Sequence, residues 1–533
     1  MSTSGKAHDS IVRSAGAISL LTFLSRITGY LRDLLLAQML GAANSSDAFI
    51  IAFRIPNLFR RLVGEGSLTA AFVPTLSEYS EEDQRREMWR FASLTFTTLA
   101  VVVAVICALG VLFSPLLVRA LAWGFSGIED KWDLTVALNR LMFPYLLFIS
   151  LSALAMATLN TVGSFALPAS TPIFLNFAII SVAWLMGRRM EEPAWAFAWG
   201  VLLGGLLQLG IQIPALWRRG WRPVRRVSFT HPGIIQVGRL MLPGILGLGV
   251  TQIMMIVSSQ FASFLGVGAV SALYYAGRVN ELALGVFAIS ISTAILPALS
   301  RLAAKGRFEE MRTTLLFGLR MAAFITVPSA AGLVVLRREV VTVLFKRGAF
   351  NAAAVDLTSG ALLFYALGLF SFGAVRVVAP AFYARKDTRT PALIAAVTLG
   401  IHVLLCSLLT GPMGLSGVAL ADSSAATLNM TLLLFIFRRR FGLPILKSFV
   451  APVSVFLVSS AAMGALSRPV LGWLRLLLSG VPMKEALSLS ATLLLMAGFY
   501  FALCALLGRD EPRQMLTGFN PLRRRLAPKE SAS

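Results

Sequence analysis

The chain has 533 residues, of which 57% are hydrophobic and 14% charged, where a soluble domain carries about 25% charged residues. Its 48 Lys and Arg against 25 Asp and Glu give a net charge of +23, and the mean hydropathy is +0.77. A soluble fold of this size has no interior for so much apolar side chain, so the composition selects a lipid-embedded protein and excludes disorder, a disulfide scaffold and a collagen-like fibre.

A membrane helix needs about 20 largely apolar residues. That ruler finds fourteen spans, at 14–40, 46–72, 91–118, 134–160, 168–187, 194–217, 234–265, 268–299, 315–336, 354–383, 391–410, 414–437, 448–467 and 485–508. Charge interrupts the first, second and eighth. Lys and Arg in the connections set the orientation. With a cytoplasmic amino terminus, 29 of them fall on the cytoplasmic side, 11 on the other side (Lys131 among these) and 8 within spans. The bias predicts an even number of spans and both termini in the cytoplasm. It also accounts for a pI near 11.1 without nucleic acid as a partner.

A weak internal repeat runs through the chain. Ala71-Phe72-Val73-Pro74-Thr75-Leu76-Ser77 is echoed by Ala294-Ile295-Leu296-Pro297-Ala298-Leu299-Ser300, and Asn57 by Asn280, all at an offset of 223 residues. The offset lays the second span over the eighth, so spans one to six match seven to twelve as parallel repeats. The expected organisation is an N-lobe at 1–217, an Arg-rich cytoplasmic connection at 218–233 and a C-lobe at 234–440. Two additional helices follow at 441–510, then a basic cytoplasmic tail at 511–533. The fold class is an all-α polytopic membrane protein with two pseudo-symmetric six-helix lobes plus two C-terminal helices.

Enzymatic motifs are missing. Cys107, Cys406 and Cys504 each lie in an apolar run without CxxC spacing, which predicts buried free thiols. His8, His231 and His402 are too scattered for HExxH. No GxxxxGK[ST] phosphate loop and no DDxxD metal cluster occurs, so no cofactor is expected and the chain is read as a transporter rather than an enzyme. The amino-terminal apolar stretch runs into Arg26 without a small-residue cleavage site, unlike a signal peptide.

The informative residues are charges where lipid should be. Each costs at least roughly 2.5–3.5 kcal/mol to insert, which makes it a functional-site hypothesis. The first span carries Arg26, Arg32 and Asp33, with Arg26 and Asp33 seven apart on one face. The second carries Asp47, Arg54, Arg60, Arg61 and Glu65, with Pro56 expected to kink it. The eighth carries Arg278 and Glu281 one turn apart, and the tenth carries Arg376. Guanidinium stays protonated everywhere and grips phosphate bidentately, so several of these Arg facing one cavity would suit a diphosphate, the acids holding the forks in place. The competing readings are snorkelling to headgroups and structural pairing. An N-cap role is expected for Asp356. His402 and Cys406, four apart, read as packed core or as ligands. Asp422, deep in an apolar segment, needs a partner, a proton or a cation.

Several of these residues sit in longer runs. Phe23-Leu24-Ser25-Arg26-Ile27-Thr28-Gly29-Tyr30-Leu31-Arg32-Asp33, Ser46-Asp47-Ala48-Phe49 and Phe53-Arg54-Ile55-Pro56-Asn57-Leu58-Phe59-Arg60-Arg61 lead the chain. Tyr274-Tyr275-Ala276-Gly277-Arg278-Val279-Asn280-Glu281-Leu282 and Ala379-Pro380-Ala381-Phe382-Tyr383-Ala384-Arg385-Lys386-Asp387-Thr388 follow. Together these resemble the MurJ (MviN) family of lipid II flippases. The resemblance implies the fold of the multidrug/oligosaccharidyl-lipid/polysaccharide exporter superfamily, with the last two helices forming a groove for a lipid tail. It implies transport of the undecaprenyl-diphosphate-linked disaccharide-pentapeptide in peptidoglycan and cell-wall biogenesis, at the bacterial inner membrane. The substrate-binding residues it implies are Arg26, Arg32, Asp33, Asp47, Arg60 and Arg278, and Glu65 and Glu281 match it too; Arg54, Arg61 and Arg376 are the further supporting cavity residues read from the sequence itself. Membrane lipid and cell-wall synthesis proteins are the further partners.

The sequence departs from that family at one place. Members that hold sodium use an Asn and an Asp on the eleventh span and a Thr on the twelfth. These positions are His402, Cys406 and Asp422 here, so a rearranged cation or proton site around Asp422 and His402 is the expectation, with coupling to the membrane potential or a monovalent ion. Three rival readings remain. An O-antigen-type flippase is separated only by motif, a multidrug antiporter should have an acid-dominated cavity, and a membrane scaffold gives no account of the Arg set.

Overall fold

The computed structural model describes residues 3–61, 68–79, 85–285, 288–442 and 445–518. Among these the chain is helical, without strands. The helices are α1 (Thr3–Leu40), α2 (Asn44–Phe59), α3 (Thr69–Ser77), α4 (Arg85–Leu112), α5 (Ser114–Ala122), α6 (Glu129–Met142) and α7 (Tyr145–Thr161). Next come α8 (Ala166–Met186), α9 (Ala194–Gly210), α10 (Ile213–Arg218), α11 (Pro232–Ser263), α12 (Ala269–Gly285), α13 (Ala288–Ala304) and α14 (Phe308–Phe345). The series ends with α15 (Ala352–Leu367), α16 (Leu369–Ala384), α17 (Arg389–Met413), α18 (Leu415–Phe441), α19 (Ile445–Leu477), α20 (Lys484–Leu506) and α21 (Glu511–Gly518).

Each expected span falls on one or two of these helices. Among the described residues nine are long and apolar enough to cross a membrane, or ten if α15 and α16, bent by 45° at Gly368, count as one. The charge-interrupted α1, α2 and α12 do not reach that standard. Among the described residues, helix breaks fall inside four expected spans: 91–118 at Phe113, 134–160 at Phe143–Pro144, 194–217 at Ile211–Gln212 and 354–383 at Gly368. In 46–72 and 268–299 the described residues form α2 and α3, and α12 and α13.

Two compact units divide the chain: residues 1–272 with 345–354, and residues 273–344 with 355–533. In the first unit α8 packs on both α1 and α9, and α2 packs on α6. The α8–α9 contact is close because α9 presents Gly200 and Gly204 one turn apart. A Cβ at Gly200 would lie 2.7 Å from the Ile179 Cα, and one at Gly204 3.1 Å from the Leu175 Cα. Small residues let membrane helices approach where lipid offers no hydrophobic drive. In the second unit α17 packs on α18, α16 on α13 and α18, and α19 on α20. The α17–α18 turn is one residue, Gly414, whose φ of +57° suits glycine. Apolar side chains also face outward, Leu393 at 68% and Leu494 at 75% exposure, as expected where lipid is the solvent. All three cysteines are buried and free.

Candidate functional site

The membrane-embedded charges of the first unit are held by helix-to-helix hydrogen bonds. On α1, Arg32 donates from both Nε and Nη2 to Asp33 Oδ1, at 3.0 and 2.7 Å. The two side chains are only 13% and 6% exposed. From α8, Asn176 Oδ1 accepts from Arg32 Nη1 at 3.2 Å, while its Nδ2 donates to Thr28 Oγ1 and the Ser25 carbonyl at 3.2 and 3.3 Å. Two helices therefore aim one guanidinium, and the sequence reading missed Asn176. Just past α2, Arg60 donates from Nε to Asn57 Oδ1 at 2.7 Å. It lies within electrostatic reach of Arg32 and Arg61 and beside the buried Tyr145. Arg60 thus feels both Arg61 and Arg32, the latter paired with Asp33, an arrangement that favours an anion with several oxygens.

Arg26 is exposed on α1, six residues before Arg32. Arg54 donates to Ser259 Oγ on α11. Glu65 lies outside the described residues.

Asp47, expected among the substrate-binding residues, is fully buried. Its Oδ2 accepts from Lys131 Nζ at 2.7 Å and from the Gly268 amide at 2.9 Å. Its Oδ1 accepts from the amide and the hydroxyl of Ser271, each at 2.7 Å. The carboxylate therefore caps the amino end of α12, where unpaired amides and the helix dipole attract an anion. Lys131, sorted by sequence among the loop cations, is 1% exposed on α6 and lies over the Phe125 ring at 4.0 Å. It directly follows the acidic Glu129-Asp130 pair at a helix start, and nothing local marks it as buried. Asp356 is corrected too. It pairs with Arg338 at 3.0 Å, and the cap of α15 is Asn351, whose Oδ1 accepts from the Ala354 amide at 2.9 Å.

In the second unit α12 presents Arg278. Its Nη1 donates to Glu281 Oε2 at 2.8 Å and its Nε to the Tyr274 hydroxyl oxygen at 3.1 Å. The guanidinium also lies over the Tyr274 ring, 5.2 Å from its centre. These partners one turn away on either side hold a side chain that remains 35% exposed. Arg376 is exposed on α16.

A second polar group joins α15, α17 and α18. Asp422 Oδ1 lies 2.8 Å from His402 Nε2, and Asp422 Oδ2 accepts from the Tyr365 hydroxyl at 2.9 Å. Cys406 Sγ is 3.4 Å from the same His402 nitrogen. His402 and Cys406 are fully buried, and 16% of the Asp422 side chain is exposed. These donors do not suit sodium. A hard cation takes several oxygens, whereas this group offers one carboxylate, a phenol already donating into it, a nitrogen and a sulfur. Among the described residues no set of three or more His, Cys, Asp or Glu is placed to hold a metal ion.

Comparison with known proteins defines the class first. The chain matches an inward-facing multidrug-resistance MATE transporter at TM-score 0.63 and 14% identity, over 79% of this chain and 94% of that one. That likeness shows the fold, a bundle of membrane-crossing helices arranged as in that exporter. The family follows from sequence. The profile of the lipid II flippase MurJ family matches residues 36–489, and the chain belongs to that family. A lipid II flippase MurJ of Burkholderia cenocepacia is 34% identical over 93% of this chain and 98% of its own length. A probable lipid II flippase MurJ of Vibrio cholerae is 37% identical over 79% and 82%. A solved lipid II flippase MurJ in an inward closed conformation superposes at TM-score 0.77 with 27% identity, covering 92% of this chain and 99% of that one.

Proposed function

We propose that this chain flips lipid II, the undecaprenyl-diphosphate-linked peptidoglycan precursor, from the inner to the outer leaflet of the bacterial cytoplasmic membrane. One observation carries the reading: within the membrane-embedded part of a lipid II flippase family member, Arg60 lies within electrostatic reach of Arg61 and of Arg32, whose guanidinium Asp33 holds. A diphosphate offers several anionic oxygens, so it competes with Asp33 for the Arg32 fork and satisfies Arg60 at the same time. Asn176 keeps the fork aimed while Asp33 releases it. Arg26 joins at the exposed face of α1. In the second unit, by itself, Tyr274 and Glu281 fix the direction of Arg278.

Alternating access presents these residues to one leaflet and then to the other. The polyprenyl tail stays in lipid along α19 and α20, whose outer faces carry Leu476 and Leu494 at 76% and 75% exposure. The cycle needs no nucleotide. An inside-negative potential pulls positive charge inward at about 2.3 kcal/mol per charge per 100 mV, which resets the emptied Arg group. Both termini lie in the cytoplasm.

Reconstitution tests this. Purified chain in vesicles containing fluorescent lipid II should move it between leaflets, and Arg32→Gln or Arg60→Gln should slow it at least tenfold while the protein stays folded. Equal rates in the native and both variant proteins would remove the Arg group from the mechanism.

A further inference from the structure

We propose that His402 and Asp422 form a proton-binding site that couples transport to a pH gradient, in place of a sodium site. The proposal rests on the flippase reading and names its coupling ion. It begins from position. Asp422 lies eight residues past the Gly414 turn on α18, about 12 Å below it, and His402 twelve residues before that turn on α17, about 18 Å below it, at 1.5 Å per residue. Both are at the depth of the apolar layer in helices composed to cross it. An ionisable pair there is a functional-site hypothesis, since apolar residues of similar volume would hold two helices together as well or better.

The hydrogen bonding makes the group sensitive to one proton. Ionised, the Asp422 carboxylate only accepts, and both oxygens are used: Oδ1 toward His402 Nε2, Oδ2 from the Tyr365 hydroxyl. A proton added to the carboxylate turns one oxygen into a donor. Facing that O–H, either the Tyr365 hydroxyl turns to accept or the neutral His402 ring accepts at Nε2, so the bonds as they stand must be remade. Tyr365 is on α15, His402 on α17 and Asp422 on α18, so one proton rearranges a three-helix tie. No bond other than O–H forms. The proton comes from water at the exposed edge of Asp422 and returns to water when the helices reset.

The surrounding charges leave the pair in control of its region. On α17 the other titratable groups are Cys406, beside His402, and Arg389, thirteen residues away, about 20 Å. On α18 Arg438, Arg439 and Arg440 begin sixteen residues from Asp422, about 24 Å. On α15 Asp356 pairs with Arg338. On α16 Tyr383 and Arg376 follow Tyr365 along the helix pair, Arg376 by eleven residues or about 16 Å. Protons run inward across an energised membrane while the lipid headgroup moves outward, so the coupling is an exchange.

Vesicles holding the native chain, Asp422→Asn or His402→Gln, each with fluorescent lipid II, test this with the potential clamped. A gradient of one pH unit should drive lipid II toward the acidic side of native vesicles by about tenfold, the value of one coupled proton. A sodium gradient should do nothing. Asp422→Asn should equilibrate the lipid without responding to pH. Isotope-labelled histidine gives a readout free of transport, since the chain has three histidines. The His402 ring signal should titrate in the native protein and shift in Asp422→Asn. Flipping that ignores pH in every form, with His402 signals unmoved by Asp422→Asn, would overturn the proton site while leaving the flippase. No flipping under any gradient, with the His402–Asp422 titration intact, would overturn the flippase reading and leave the proton site standing.

Discussion

The buried Asp47–Lys131 pair should contribute more to stability than any surface charge, and unequally from its two ends. Both side chains are inaccessible, with 2.7 Å between Nζ and Oδ2. Removing one partner of a buried pair costs about 3–5 kcal/mol. In Lys131→Met the remaining carboxylate keeps three donors, the Gly268 amide and the amide and hydroxyl of Ser271, which places the loss near the lower figure. In Asp47→Ala the ammonium keeps the Phe125 ring, worth about 2 kcal/mol when desolvated, but α12 loses its cap, a further ~1 kcal/mol. That loss belongs near the upper figure. The double variant has no stranded ammonium and should be more stable than Asp47→Ala alone. Unfolding by denaturing detergent in mixed micelles, run as a double-mutant cycle, measures this. Additive losses, or single variants within about 0.5 kcal/mol of the native protein, would refute the buried-pair argument.

Other expectations follow from the same geometry. Asn176→Leu leaves the Arg32–Asp33 pair but frees the fork from α8, so lipid II transport should fall several-fold with little change in unfolding midpoint. Tyr274→Phe removes the acceptor of Arg278 Nε and keeps the ring, and should slow transport less than Arg278→Ala in the same vesicle assay. Asp387 lies between α16 and α17. Desolvation pushes its carboxyl up, but the Thr390 amide and hydroxyl donors and the Arg440 guanidinium outweigh it and hold the group below the usual carboxylate range. A lowered folded pKa stabilises above the ordinary value and is lost as pH falls through the folded one. Asp387→Asn should therefore be less stable than native at pH 7, and the gap should close as the pH drops below about 4, read by thermal unfolding across pH.

Hydropathy made the membrane class legible because lipid leaves a backbone few options, and the spans follow from runs of apolar residues. Spans one, two and eight show where that signal weakens, because the charges that interrupt them are the interesting residues. Arg32, Asp33 and Arg60 stood out by type alone, since an Arg in an apolar run needs an explanation. Their partners did not. Asn176 is an ordinary polar residue in α8 until α1 packs on it, 144 residues away. Lys131 reads as a loop cation because its burial is decided by Asp47 on α2, 84 residues away, and not by its neighbours in sequence. Asp47 also stood out by type, but its place as a cap on Gly268 and Ser271 did not. The demand that Asp422 find a partner was readable; that His402 and Tyr365 meet it depends on the register of α15, α17 and α18, which no local pattern encodes.

The central claim is that an Arg-lined lipid II site drives flipping, and one experiment reaches it most directly. Cells depleted of their own lipid II flippase would receive the native chain, Arg32→Ala or Arg278→Ala, with membrane levels matched and outer-leaflet lipid II measured. Growth and outward lipid II restored by the native chain, and by neither variant, is the expected result. Failure of the native chain at matched levels, or full rescue by both variants, would contradict the claim.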